Sequence, residues 1–173
     1  MLNRLYVKTR PGCSQQGLLR AGNRVLPCAL GRSGIVSAKR EGDGGTPIGE
    51  FRLMHGYFRA DRGHTPQTLL PMSPIEPTDG WCDAVGDRNY NCPVQLPYPA
   101  SHELMMRDDR LYDVVIVMDY NITRRMSRGG SAIFFHIAKP GYPPTEGCVA
   151  ISPADMAWLL PQIGPQTIMF VGV

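Results

Sequence analysis

Short runs of alternating apolar and polar residues, broken by turns, dominate the chain. Asn3–Lys8 alternates and predicts a strand, and Arg24–Leu30 predicts a second. Phe51–Tyr57 reads as a third. The Val/Ile-rich run Leu111–Tyr120 gives the strongest β signal, that of a central strand buried on both faces. Ser131–Ala138, Cys148–Ile151 and Thr167–Val171 add three more. His102–Arg107, behind Ser101, predicts one helical turn. The convincing helix begins at Ser152-Pro153-Ala154-Asp155, with Ser152 as cap, Pro153 at the first helical position and Asp155 in the first turn. It ends near Pro161. Arg59 to Pro99 is a long Pro/Gly/Asp-rich stretch holding Trp81, Tyr90 and Tyr98, and predicts an ordered, site-forming loop. The pattern predicts a mainly-β sandwich or barrel-like fold with long loops and one or two short helices.

Composition sharpens this picture. Nineteen glycines and sixteen prolines in 173 residues exclude a helix bundle, because both residues disrupt helix interiors. The length suits a single domain, residues 1–173, and 43% hydrophobic residues suffice for its core. The net charge is +3, and only three of the eighteen cations are lysines. Such a balance, with no basic run longer than Arg124-Arg125, does not call for nucleic acid. The N-terminal residues lack an apolar signal core, and no run approaches the roughly 18 apolar residues of a membrane span. The five cysteines, Cys13, Cys28, Cys82, Cys92 and Cys148, form no metal-ligand spacing, so neither metal nor organic cofactor is implied. Cys82 and Cys92 flank a loop and are close enough in sequence to pair in an oxidising compartment; unpaired small hydrophobes are the alternative.

The chemistry concentrates between His136 and Ser152, HIAKPGYPPTEGCVAIS. A histidine ends a strand, a Gly/Pro-rich loop follows, and Gly147-Cys148 opens the next strand. If the two strands are neighbours, His136 and Cys148 meet. A free thiol near pKa 8.5 holds little thiolate at neutral pH, and an adjacent imidazole activates it. Gly147 permits close substrate approach, and the Gly147 and Cys148 amides are candidate oxyanion donors. The alternative is a buried core thiol beside a satisfied core histidine.

Thr145-Glu146-Gly147-Cys148-Val149, with His136 upstream, resembles the signature of the L,D-transpeptidase (YkuD-like) catalytic domain. A second segment, Gly42-Asp43-Gly44-Gly45-Thr46-Pro47-Ile48-Gly49-Glu50-Phe51, is similar to that family's Gly-Asp-Gly-x-Thr-Pro-x-Gly-x-Phe. The resemblance spans Val25 to Val173 and implies a β-sandwich. It also implies that Cys148 is the nucleophile and His136 its base, with Gly147 holding the oxyanion. The substrates would be peptidoglycan stem peptides, donor and acceptor, joined through a cysteine acyl-enzyme into a 3,3 or an atypical 1,3 cross-link. Carbapenems would acylate the cysteine, and the location would be periplasm or cell envelope. An L,D-carboxypeptidase or endopeptidase and a catalytically silent wall-binding module are the competing readings.

The chain departs from the family in three places. Glu146 stands where a second histidine is usual, Ala150 where many members have arginine, and the His-to-Cys spacing is short. Thr145, Glu146, Lys139, Arg128, Trp81 and Tyr112 are the candidate substrate contacts. Lys139 follows the histidine, Arg128 offers a fork for carboxylates, and the aromatics are groove candidates. Under this reading the Lys39–Phe51 segment is a structural turn beside the site rather than a phosphate cradle, since it lacks a Gly-Lys-Ser/Thr ending. His55, His64 and His102 show no metal spacing and read as surface or loop histidines.

Overall fold

A computed structural model describes residues 1–172; Val173, the last residue of the expected domain, lies outside the described residues. Two hairpins start the chain. β1 (Arg4–Arg10) turns at Gly12 into β2 (Cys13–Ala21), which turns at Gly22-Asn23 into β3 (Arg24–Ala29). Gly12 and Gly22 both take positive φ, as tight turns between twisted strands require. β4 (Ile35–Val36) and β5 (Thr46–Pro47) form a short parallel ladder, and β6 (Gly49–Phe58) follows.

Between β6 and residue 105 lie β7 (Met72–Pro74), β8 (Asp79–Cys82), β9 (Pro93–Gln95) and β10 (His102–Leu104). The last third contains β11 (Val114–Met118), β12 (Phe134–Ile137), β13 (Val149–Ile151), α1 (Pro153–Leu159) and β14 (Ile168–Gly172). α1 begins as the sequence predicts. The Ser152 hydroxyl accepts from the Asp155 amide and Pro153 occupies the first turn.

The large sheet runs β11-β12-β13-β3-β2-β1-β14-β6-β7, and β11 also pairs with β6. That extra pairing closes eight strands into a ring, which leaves the mainly-β fold few free edges. Leu5, Val7, Leu19, Ile116, Phe135 and Val149 fill the interior, and Met156 and Leu159 of α1 join the same cluster.

A second core lies outside the ring. β10-β8-β9 form a small sheet that covers β11 and β12, burying Trp81, Met105, Tyr112, Val115, Phe134 and Cys148 together. β12 is therefore buried on both faces, His136 included.

Two sequence expectations change. His102–Arg107 is not a helical turn: His102, Glu103 and Leu104 pair antiparallel with Cys82, Trp81 and Gly80, and that pairing overrides local preference. The stretch Arg59–Pro99, expected as one ordered loop, is broken by β7, β8 and β9. β2 is a strand that the sequence reading did not name, and Gly17 occupies one of its inward positions. A Cβ there would lie 2.8 Å from the Cys28 sulfur and from the Lys8 carbonyl.

Gly31, just beyond β3, shows the tightest backbone packing. A Cβ on it would sit 2.1 Å from the Gly44 carbonyl oxygen and 2.9 Å from the Thr46 nitrogen. Its own amide donates to the Thr46 hydroxyl at 2.8 Å. Gly31→Ala is therefore expected to cost roughly 2–4 kcal/mol of stability. Urea unfolding checks this; an unchanged midpoint would refute the close-packing argument.

Candidate active site

β12 and β13 run parallel, with Phe135 opposite Val149 and His136 opposite Ala150. Side chains alternate along strands, so Phe134, His136, Cys148 and Ala150 all face outward from the ring toward the small sheet. His136 and Cys148 both line one cavity of about 670 Å³, whose floor is Ala29, Ala138 and Ala150. The loop between the two strands is pinned. Thr145 bridges Gly31 through backbone hydrogen bonds with Leu30 and Arg32, and Glu146 pairs with Arg32. Gln16 of β2 donates to the carbonyls of Gly141 and Tyr142.

Around the sulfur, the Phe134 amide donates to Sγ at 3.4 Å, and the thiol donates to the Ala132 carbonyl at 3.3 Å. Ala132 holds φ +52, and its amide donates to Asn91 Oδ1. Buried Asn91 also accepts from the Trp81 indole and donates to the Tyr120 and Asn121 carbonyls. One side chain thus fixes the strained segment behind Cys148.

Burial pushes the Cys148 thiol up to about 12, reinforced by the charge of Glu103. Burial also holds the His136 imidazole down, to about 4. Both groups rest neutral at physiological pH. His136 Nδ1 lies 2.8 Å from the Ile137 carbonyl. A neutral imidazole there donates from Nδ1, which leaves Nε2 as the basic nitrogen.

The glycine-rich segment is the wall beside the sulfur. Gly147 takes φ +132, and a Cβ on it would meet the Gly45 carbonyl at 2.7 Å. Glu41 and Gly42 line the cavity directly. Asp43 bonds Lys39 Nζ and the amides of Arg40 and Gly45, which keep its carboxyl below the usual range although burial opposes them.

The family model of the L,D-transpeptidase catalytic domain (YkuD) matches residues 14–171. The chain belongs to this family. No curated protein matches it. Among solved structures it is similar to an L,D-transpeptidase from Mycobacterium smegmatis, at 14% identity and TM-score 0.46, covering 98% of this chain and 58% of that one. It is similar to L,D-transpeptidase 1 from Mycobacterium tuberculosis, at 14% identity and TM-score 0.42, covering 97% and 61%. L,D-transpeptidase 3 of the same organism, in complex with a faropenem-derived adduct, matches at 14% identity and TM-score 0.43, covering 98% and 60%. The chain thus spans about three-fifths of the length of these structures.

In this L,D-transpeptidase domain, Cys148, His136, Thr145, Glu146, Lys139 and Tyr112 all line the cavity. Trp81 and Arg128 do not. Trp81 is buried behind the site, edge-on to Phe134, because its large apolar surface belongs to the second core. Arg128 is an exposed turn residue at φ +64 whose carbonyl accepts from the Glu41 amide. Gly147 is also recast as a donor, since its amide already bonds the Thr145 hydroxyl at 3.1 Å. That hydroxyl in turn donates to the Cys148 carbonyl at 2.7 Å.

Sequence reasoning missed Glu103, Arg107, Asp83 and Glu41. Tyr112 packs on the His136 ring with centroids 5.4 Å apart and donates to Glu103 at 2.6 Å. Arg107 bonds Glu103 and Asp109 and lies over Tyr112. Glu41 accepts from Tyr90 and Ser131. Asp83 Oδ1 is buried with no hydrogen-bond partner among the described residues. These groups reach the cavity from the small sheet and the glycine segment, so no motif around Cys148 could have announced them.

The neutral resting thiol has a kinetic signature. Alkylation of Cys148 by iodoacetamide should accelerate roughly tenfold per pH unit from about pH 7 to about pH 10, without a plateau. Peptide mass spectrometry separates it from the other four free cysteines. A plateau near neutral pH would mean a preformed thiolate and overturn this picture.

Proposed function

We propose that the domain is a peptidoglycan L,D-transpeptidase that joins stem peptides through a thioester on Cys148. The observation that carries the reading is the shared cavity of Cys148 and His136, on the same face of two adjacent strands. As sulfur attacks the donor carbonyl, the thiol proton passes to His136 Nε2. A neutral pair suits this order, because the charge forms only when substrate has displaced water. The tetrahedral oxyanion needs a donor; the Gly147 amide is already engaged by Thr145, which leaves the Cys148 amide as the one assigned to it. Collapse expels the distal D-residue as an amine, which takes the proton from His136. The acceptor amine then attacks the thioester, gives its proton to His136, and thiol is restored.

The cavity wall supports transfer over hydrolysis. Glu41, Asp83, Glu103 and Glu146 supply four carboxylates against the cations Arg107 and Lys139. Such a wall attracts a cationic amine. The family's usual arginine after the cysteine is Ala150 here, and Arg107 brings a cation from the opposite wall. Arg107 is a candidate contact for a stem-peptide carboxylate. Tyr112 and Glu103 are assigned to positioning the imidazole.

Defined muropeptides incubated with the protein should give dimers by mass spectrometry, and Cys148→Ala should give none. Shortened stems without dimers would establish the hydrolase reading. Full activity of Cys148→Ala would sink the mechanism. An extracytoplasmic location follows from the proposed substrate.

A further inference from the structure

Charge is distributed unevenly along the chain. Residues 1–40 carry eight cations and no acid, whereas residues 41–173 carry ten cations and fifteen acids. Strand alternation sends most of the N-terminal cations to the outside of the ring. Arg4, Lys8 and Arg10 of β1 and Arg20 of β2 are all exposed. Register builds one row across four strands: Arg20, Tyr6, Phe170 and Glu50. Glu50 is the single acid of that row.

The row is organised. The Tyr6 and Phe170 rings stack at 5.1 Å with 22° between planes. The Arg20 guanidinium lies 4.4 Å from the Tyr6 centroid, and that of Arg4 lies 5.5 Å from the Phe170 centroid. Among the described residues, no ion pair engages Arg4, Lys8 or Arg20. Cation–π contact holds the forks over the rings, so less side-chain entropy is lost when they grip an oxyanion. Beside them, Tyr6, Lys8, Ile48, Glu50 and Phe170 border a shallow hollow of about 380 Å³. An apolar ring edge, a cation and a carboxylate around such a hollow suit a sugar ring with its hydroxyls. The face is continuous with the site: β3 adjoins β2, and its Ala29 already lines the catalytic cavity.

We propose that this basic, aromatic face holds the peptidoglycan polymer beside the site, the rings taking its sugars and the arginines the free carboxylates of neighbouring stem peptides. This rests on the reading of the site as a peptidoglycan acyltransferase. Single cations spaced over a flat sheet match carboxylates dispersed along a polymer better than one clustered phosphate group.

The test uses Cys148→Ala protein, so that binding is read without turnover. Co-sedimentation with purified peptidoglycan sacculi should be strong at low ionic strength and weaken as salt screens it. Adding Arg4→Ser and Arg20→Ser should weaken binding roughly tenfold. In the protein with Cys148 intact, the same pair should leave turnover of small soluble muropeptides unchanged. Undiminished sedimentation of the arginine variant would overturn the proposal. So would tighter binding to anionic lipid vesicles than to sacculi, or a parallel loss of muropeptide turnover. Sacculus binding that persists in a protein inert toward muropeptides would instead remove the catalytic reading and leave the docking surface standing.

Discussion

The parallel pairing of β12 with β13 is the constraint on which the site depends. Parallel neighbours cannot be joined by a tight turn, so the chain must cross over between them. Here the crossover is a Gly/Pro-rich loop rather than a helix, and it leaves room for a cavity. The loop is held at Thr145 by the Leu30–Arg32 segment and at Glu146 by Arg32. Gly31 lies against the Gly44 carbonyl and Gly147 against the Gly45 carbonyl, at distances that a Cβ would forbid. A pair of distant glycine clusters thus becomes one packed unit, and that unit sets where the sulfur lies.

Burial makes the same site chemically reticent. The second core leaves Cys148 and His136 little contact with solvent, and burial favours the neutral form of each. The advantage of a buried site is that every developing charge is felt more strongly once a substrate brings it in. Asn91, itself buried, spends its hydrogen bonds on holding Ala132 and Trp81 rather than on substrate. The Glu103–Tyr112 pair touches the imidazole from the other side. Orientation is therefore supplied by the covering sheet, while the reacting groups come from the ring.

The chain's departures from its family also find physical places. Glu146, where a second histidine is usual, is exposed and paired with exposed Arg32, so it ties the loop to the turn after β3. An exposed pair of this kind contributes little stability by itself. Its effect is to fix the mouth of the cavity. Ala150 keeps the floor small beside His136, and the four acids and Arg107 around it set the field that a substrate meets.

Much of this was legible in residue order. Alternation and Val/Ile runs located seven of the eight ring strands, Ser152-Pro153 located the helix, and two spaced motifs located the family and the candidate Cys–His pair. Those signals are local, or depend on backbone geometry that only glycine and proline allow. What residue order did not show was which side chains share space. His102–Leu104 became a strand because β8 was available to pair with it, and Trp81 left the groove because a core needed filling. Glu103, Asp83 and Glu41 reached the cavity from segments 45 to 107 residues away from Cys148 in the chain. The sequence by itself determined the neighbourhood of Cys148 and the strand alphabet. The closure of β6 on β11, the covering sheet and the burial of Cys148 and His136 were decided by tertiary packing, because pairing and desolvation belong to surfaces that exist only once distant strands meet.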